Sequence, residues 1–395
     1  MDTRTNQRRY DLDWLRVLAF SAVFLYHCSR FFDSSGWHIK NSLSSPVVDA
    51  LKSIFDMWGM PLLFFLSGAS IVYALRPGAE VRFLRERILR LLIPLAFGIL
   101  VLAPPQIYLE RLAHGDFQGS FLAFLPLYFR DWSRWGGNFA WSGVHLWYLE
   151  DLFLFTLVLL PLFAALKRPA GQRLVQALAR LSARPGMILL WLVPFALWVI
   201  PFDPLGIAGP GLSEDLTRLV VFPPFVVYGY LVMSNEHIQQ AIIRQRRFLL
   251  GLAFLLTLAA PAVAGWAGEH RGVGTLVVVM LLVGLLIWSS VLAIVGYGMR
   301  HLTSSHPVLG HANEAVLPVY VLHQPVILLV GSFIIPLALP ILAKYLIIAA
   351  LSLGITLGLY AFGVRRSNPV RWLFGLKALR GPRQQGEPAL AVVAG

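Results

Sequence analysis

The sequence predicts an all-α membrane protein with about ten spanning helices, and three observations carry that prediction. Apolar residues make up 57% of the 395-residue chain and charged residues only 13%, roughly half the charge of a soluble domain. The apolar residues gather into runs of about 20, the length that crosses a hydrocarbon core of about 30 Å. The basic residues concentrate in alternate short loops between those runs, which is how a multi-pass protein is oriented in a bilayer. The net charge of +13 therefore reads as topology. A nucleic-acid partner is excluded, because the basic residues form no stripe that could track a phosphate backbone.

Ten spans follow in order at 12–33, 50–75, 88–109, 145–166, 187–204, 215–233, 248–267, 274–298, 315–336 and 341–363. The first comes after a polar, basic stretch, Met1 to Tyr10, and no small-residue cleavage site follows it. It reads as a retained helix, not a removed signal peptide. Asp203, Pro204 and a Gly/Pro-rich stretch to Gly211 separate the fifth span from the sixth, which Pro223 and Pro224 interrupt. With a cytoplasmic N-terminus, the cytoplasmic loops and the two tails hold about 23 Lys and Arg and the opposite loops about 8, so both termini are expected in the cytoplasm. Residues 1–365 form one transmembrane domain, and 366–395 form a basic cytoplasmic tail.

The long external loop, 110–144, carries Arg130, Asp131, Trp132, Arg134, Trp135, Asn138 and Trp141. Aromatic and polar residues side by side suit stacking on sugar rings, and they suit equally an interfacial tryptophan belt. The one cysteine, Cys28, follows His27 directly and points about 100° away from it, which fits a small packing residue better than an acyl carrier.

Ionisable residues inside a span are costly and mark functional positions. In the first span, DLDWLRVLAFSAVFLYHC, Arg16 and His27 are eleven residues apart. That spacing puts them on one face about 16 Å apart, with Arg16 near the cytoplasmic surface and His27 about two-thirds of the way across. Taken singly, Arg16 could snorkel to the surface and His27 could be a hydrogen-bonded interior residue; together on one stripe they point to function. Asp56, Met60, Leu63 and Ser67 share a face of the second span, which Gly59, Pro61 and Gly68 would bend. The fourth opens with HLWYLEDLFLF, placing Glu150 and Asp151 at a depth similar to His27 and His145 at the outer rim. A carboxylate beside a histidine fixes its tautomer and stabilises the imidazolium, and Glu150, Asp151 and Asp56 are the candidates for that place beside His27. Asn313, Tyr320 and His323 or Gln324 share a face of the ninth span, kinked at Pro318 and Pro325. Arg82, Arg85, Arg87 and Arg90, before and in the third span, suit either topological anchoring or a phosphate-rich ligand. The chain has no phosphate-binding glycine loop, nucleophile elbow or Cys/His metal spacing, so no metal is expected.

These pieces resemble the acyltransferase 3 family of bacterial integral-membrane acyltransferases. The resemblance rests on LDWLR with His27 eleven residues after Arg16, MPLLFFLSG at 60–68, RERILRLLIP at the start of the third span, HLWYLEDL at 145–152 and LPVYVLHQPVI at 317–327. The DLDWLR opening and the VYVLHQPVI stretch look most like the family's glucan biosynthesis protein C branch. The resemblance implies transfer of an acyl group, acetyl or succinyl, from cytoplasmic acyl-CoA to a hydroxyl of an extracytoplasmic glycan, glycolipid or peptidoglycan, in the bacterial inner membrane. The family's Arg and His map onto Arg16 and His27, and its later arginines onto the Arg85–Arg90 segment. His145, Tyr320 and His323 are then expected to contact substrate. A polysaccharide or lipid-linked-sugar flippase fits the same buried ionisable residues; release of free coenzyme A and formation of an ester separate the two. A non-catalytic scaffold would leave the buried charges as needless cost. None of these features sets an oligomeric state.

Overall fold

The structure, a computed structural model, describes residues 8–133, 136–207 and 213–379. Arg134, Trp135, Gly211 and positions 380–395 of the basic tail lie outside the described residues. All regular secondary structure among the described residues is helical. In chain order the helices are α1 (Tyr10–Ser29), α2 (Pro46–Ala74), α3 (Glu80–His114), α4 (Phe121–Arg130), α5 (Val144–Leu166), α6 (Pro169–Ser182), α7 (Met187–Phe202), α8 (Glu214–Met233), α9 (Glu236–Glu269), α10 (Val273–His301), α11 (Pro307–Ile334), α12 (Ile341–Val364) and α13 (Asn368–Leu373).

Eight of these, α2, α3, α5 and α8 to α12, are long and apolar enough to cross a membrane. The other two of the ten expected spans map onto α1 and α7. α1 has 20 residues but carries Asp11, Asp13 and Arg16 near its start, and α7 is a shorter apolar helix that begins and ends in tight 3₁₀ turns. The chain is a multi-pass, all-α membrane protein. Helices α4, α6 and α13 lie in segments read as loops or tail.

Most charges at the start of α1 are used to join helices. Arg9 pairs with Asp11 at 2.7 Å and donates to the Tyr73 hydroxyl of α2 and to Gln239 Oε1 of α9. Asp13 pairs with Arg8 at 2.8 Å and accepts from Asn313 Nδ2 of α11 at 3.0 Å. Buried ions are tolerated here because each is paired: Asp11 with Arg9 beside it, while Arg9 and Asp13 also reach side chains on neighbouring helices.

Helices α2 and α8 cross in close backbone contact. A Cβ added at Gly68 would lie 1.9 Å from the Val226 carbonyl oxygen, and one added at Gly229 would lie 1.9 Å from that of Phe65. Each glycine admits the other helix's backbone, the small-residue packing that replaces hydrophobic drive inside a bilayer.

Helix α3 is widened in two places, at Ile88–Leu92 and Gly98–Leu102. The first lies just before Pro94, which has no amide to donate to the Arg90 carbonyl. At the second, the Tyr128 hydroxyl donates to the Ile99 carbonyl at 2.7 Å. Ile99 is near the middle of the expected third span, so the 115–143 connection folds back into the bundle. It brings its own apolar core with it: Phe124, Tyr128 and Phe139 pack on Ala103 and Ile107.

The connection between α1 and α2 is also pinned. Asp33, fully buried, is held by Arg30 and by Lys40 at 2.8 Å. Beyond α12 the chain stays on the bundle. α13 packs against α3, with Phe374 against Phe97, and Arg371 pairs with Glu314 of α11 at 2.7 Å. The described part of the segment read as a tail is therefore docked on the bundle as far as Leu376, and Leu379 folds back to Asn368.

Candidate active site

The site lies along the seam between α1 and α11. Arg16 and His27 of α1 face Asn313 and His323 of α11. Arg16 Nη1 donates to Asn313 Oδ1 at 3.0 Å, and His27 Nδ1 lies 3.1 Å from His323 Nε2. The offsets between partners, 297 and 296 residues, are nearly equal. Two stripes of the same period run side by side and meet at both ends.

At the arginine end, Arg16 also donates from Nη2 to Ser70 Oγ at 2.7 Å and sits 3.4 Å from Asp13. Arg87 and Arg90, three residues apart on α3, are near enough to Arg16 for their charges to act on one another and on the Tyr148 hydroxyl. That hydroxyl bonds Ser67 Oγ of α2 at 2.6 Å. Arg87 lies over the Phe83 ring at 4.8 Å. Neither Arg87 nor Arg90 has an ion-pair partner among the described residues. Guanidinium groups gathered this way are suited to a phosphate-bearing anion. Arg85 is exposed and outside this group, and Arg82 pairs with Glu86. Of the arginines read from the sequence, Arg87 and Arg90 join Arg16.

The histidine end is built by two local irregularities. Pro325 cannot donate to the Val321 carbonyl, which loosens the ladder of α11 beside Tyr320. The Tyr320 carbonyl is approached by His323 Nδ1 at 2.6 Å and by His145 Nε2 at 3.1 Å. His145 sits in a tight turn entered through Gly143 at φ +68° and Val144 at φ +63°. A β-branched residue there is strained by about 1–3 kcal/mol. The Tyr320 hydroxyl holds the turn by donating to the His145 carbonyl at 2.5 Å.

The network assigns the protons. A nitrogen facing a carbonyl must carry hydrogen, so in neutral His323 Nδ1 is protonated and Nε2 offers a lone pair. His27 Nδ1 faces that lone pair and the Val23 carbonyl at 3.0 Å, so it is the protonated nitrogen. In the neutral ring this leaves His27 Nε2 as the bare base. His145 Nε2 donates to Tyr320, and its buried Nδ1 has no partner among the described residues. Trp37 lies over His27 with ring centroids 6.5 Å apart.

Several expectations are corrected here. The partner that orients His27 is His323 rather than a carboxylate, because His27 Nδ1 is already turned to His323 and Val23. Asp56 pairs with Lys52 one turn earlier in α2 at 2.7 Å, and Asp151 pairs with Arg218 at 3.3 Å. Glu150 is half-buried beside Asp151 in the first turn of α5. His145 is buried in the histidine cluster, not placed at the outer rim, because the folded-back connection carries the start of α5 inward. Tyr320 and His323 both lie in the cluster.

The histidine–carboxylate pair that chemistry suggests does occur, on residues the sequence reading passed over. His38 Nδ1 pairs with Glu110 Oε2, and His38 Nε2 lies 3.2 Å from Gln324 Nε2. Both residues fall in loop positions by apolar patterning, so nothing in the pattern singled them out. Tyr148 and Ser70 were missed for a similar reason, as ordinary polar residues in apolar helices. In the external connection, the Asp131 carboxylate is held below the usual carboxylate range by hydrogen bonds from Ser133, then from the Asn138 amide. Trp132 and Trp141 are exposed there. Among the described residues no group of three His, Cys, Asp or Glu could hold a metal ion.

A family model described as an acyltransferase domain matches residues 9–361. Glucans biosynthesis protein C of Escherichia coli strain K12 is 22% identical over 347 residues, covering 84% of this chain and 85% of that one. The protein of the same name from Salmonella paratyphi A strain ATCC 9150 is 24% identical over 375 residues, covering 91% and 92%. No solved structure matches the chain. With the family model spanning nearly the whole helical bundle that holds Arg16 and His27, the chain belongs to the acyltransferase domain family and is a membrane acyltransferase.

Proposed function

We propose that this acyltransferase moves an acetyl or succinyl group from cytoplasmic acyl-CoA to a hydroxyl of an extracytoplasmic glycan, glycolipid or peptidoglycan. It would work in the bacterial inner membrane with both termini in the cytoplasm. The observation that carries the reading is the α1–α11 seam, which holds an arginine cluster at one end and a bare imidazole nitrogen about 16 Å along the helix from it. The relatives' printed name favours a glucan as the acceptor.

In this reading the coenzyme A phosphates bind Arg16, Arg87 and Arg90, and the thioester reaches His27. His27 Nε2 takes the proton of the acceptor hydroxyl as its oxygen attacks the thioester carbon. The tetrahedral intermediate collapses with loss of the sulfur, and the proton returns from His27 to the departing thiolate. The products are an ester and free coenzyme A. His323 accepts from His27 Nδ1 throughout, so the imidazolium formed midway keeps a hydrogen-bond acceptor.

The test is mass spectrometry of surface glycans from cells with the gene, without it, and with His27→Ala. The expected result is an added acyl mass that the deletion and the variant both lack. Retention of that mass in normally expressed His27→Ala would overturn the role of His27. Intact substrate crossing the membrane with no ester formed would overturn transfer itself.

A further inference from the structure

An apolar groove of about 550 Å³ runs along the outside of the bundle between α1, α11 and α12. On α11 it extends from Ala312 to His323 and on α12 from Leu346 to Leu357, about 16 Å in each case and parallel to the helix axes. Ala312, Ala315, Ala349 and Ala350 keep it open. Leu25, Leu346, Leu353 and Leu357 on its rim are exposed, so it faces the bilayer along its length.

Its lining is hydrocarbon apart from Ser21 of α1, whose hydroxyl is turned back to the Val17 carbonyl at 2.9 Å, and Tyr320 and His323 near one end, where His323 contributes although it is 2% exposed. This is the histidine that bonds His27. Phe20 and Tyr320 form the back wall, with ring centroids 5.2 Å apart, and Tyr148 packs on the far side of both. The wall separates the groove from the arginine cluster. The groove is thus entered from lipid rather than from the donor side. A molecule that fills it must be apolar along most of its length, with any polar head beyond the end where the groove reaches the histidine cluster.

We propose that this groove receives one hydrocarbon chain of a lipid-borne acceptor, which enters sideways from the bilayer and brings its head-group hydroxyl to His27. The proposal deepens the reading above and rests on it for the role of the histidine end. A chain lying parallel to its neighbours in the bilayer slides in without crossing a polar barrier.

The experiment uses the full-length protein in lipid nanodiscs with acetyl-CoA or succinyl-CoA. Methyl β-glucoside and dodecyl β-glucoside are compared as acceptors, in wild type and in Ala349→Phe and Ala350→Phe. The expected result is at least tenfold higher kcat/KM for the dodecyl compound in wild type. Either variant should reduce that preference to within twofold and leave the methyl glucoside rate unchanged. Preference that survives in both variants would show that bilayer partitioning alone creates it, and would overturn the proposal.

A second measurement needs no turnover. Dodecyl glucoside with a diazirine at its chain end is photolysed with the protein, and the labelled peptides are mapped. Labelling of α11 and α12 that dodecyl glucoside displaces and dioleoyl phosphatidylglycerol does not supports the site. Equal displacement by the phospholipid would reduce it to an ordinary lipid contact and overturn the proposal. If selective labelling holds while neither glucoside is acylated, the groove stands and the assigned reaction falls.

Discussion

The two ends of the α1–α11 seam hold their polar groups in different ways. At the arginine end, side chains from five helices converge: Arg16 is tied to Asn313, Ser70 and Asp13, while Arg87 and Arg90 have no ion-pair partner among the described residues. At the histidine end, ring nitrogens are committed to backbone carbonyls and to one another, and His27 Nε2 is left bare by the tautomers this imposes. The first arrangement leaves charge available for an anion that arrives and departs. The second fixes one atom, as proton transfer in a transition state requires.

The largest effect should come from the bare nitrogen. His27→Ala should lower single-turnover release of free coenzyme A by about 10²- to 10⁴-fold, with acyl-CoA affinity changed little. A matching loss of affinity would erase the distinction between the ends. His323→Ala should cost roughly 10²-fold, because misplacing a base by about an ångström is enough for that. His323→Gln should recover part of the rate, since its amide oxygen can accept from His27 Nδ1. Equal rates for the two variants would show that His323 only fills space.

Arg87→Ala and Arg90→Ala should each weaken acyl-CoA binding about tenfold, near the lower range for a hydrogen bond to a charged group, and the loss should shrink at high salt. Arg85→Ala, measured in the same titration, should change it less than twofold; a tenfold loss there would place the phosphates elsewhere on α3. The smallest effect concerns the strained turn. Val144→Gly should raise thermal stability by about 1 kcal/mol at most, because relief of the positive φ is partly offset by the freedom glycine gains when unfolded. A drop in Tm would mean that the packing of the valine side chain outweighs its strain.

The fold was legible because a bilayer imposes one length and one composition on every span. The expected 145–166 matches α5 within a residue, and 341–363 matches α12 equally well. Arg16, His27, Asn313 and His323 were legible for the same reason, since a polar residue in an apolar run stands out and its period gives its face. Which residues meet across helices was not. A carboxylate beside His27 was a chemical expectation, and Asp56 and Asp151 instead neutralise Lys52 and Arg218. The depth of His145 was hidden because a polar connection reads as surface whether or not it folds inward. What carries it inward is a carbonyl at Ile99 in a widened turn, and no residue pattern announces that carbonyl.

The docked segment after α12 has a practical consequence. Arg371 grips Glu314, the neighbour of the Asn313 that holds Arg16, and a Cβ at Gly375 would lie 2.7 Å from the Arg90 carbonyl. The strap thus touches α3, which carries Arg87 and Arg90, and α11, whose Asn313 holds Arg16. A protein shortened at Arg365, where sequence alone draws the domain boundary, would lose this clasp and uncover Phe97. Fluorescent or affinity fusions belong after Leu379, and a fusion placed nearer would report on a loosened arginine cluster.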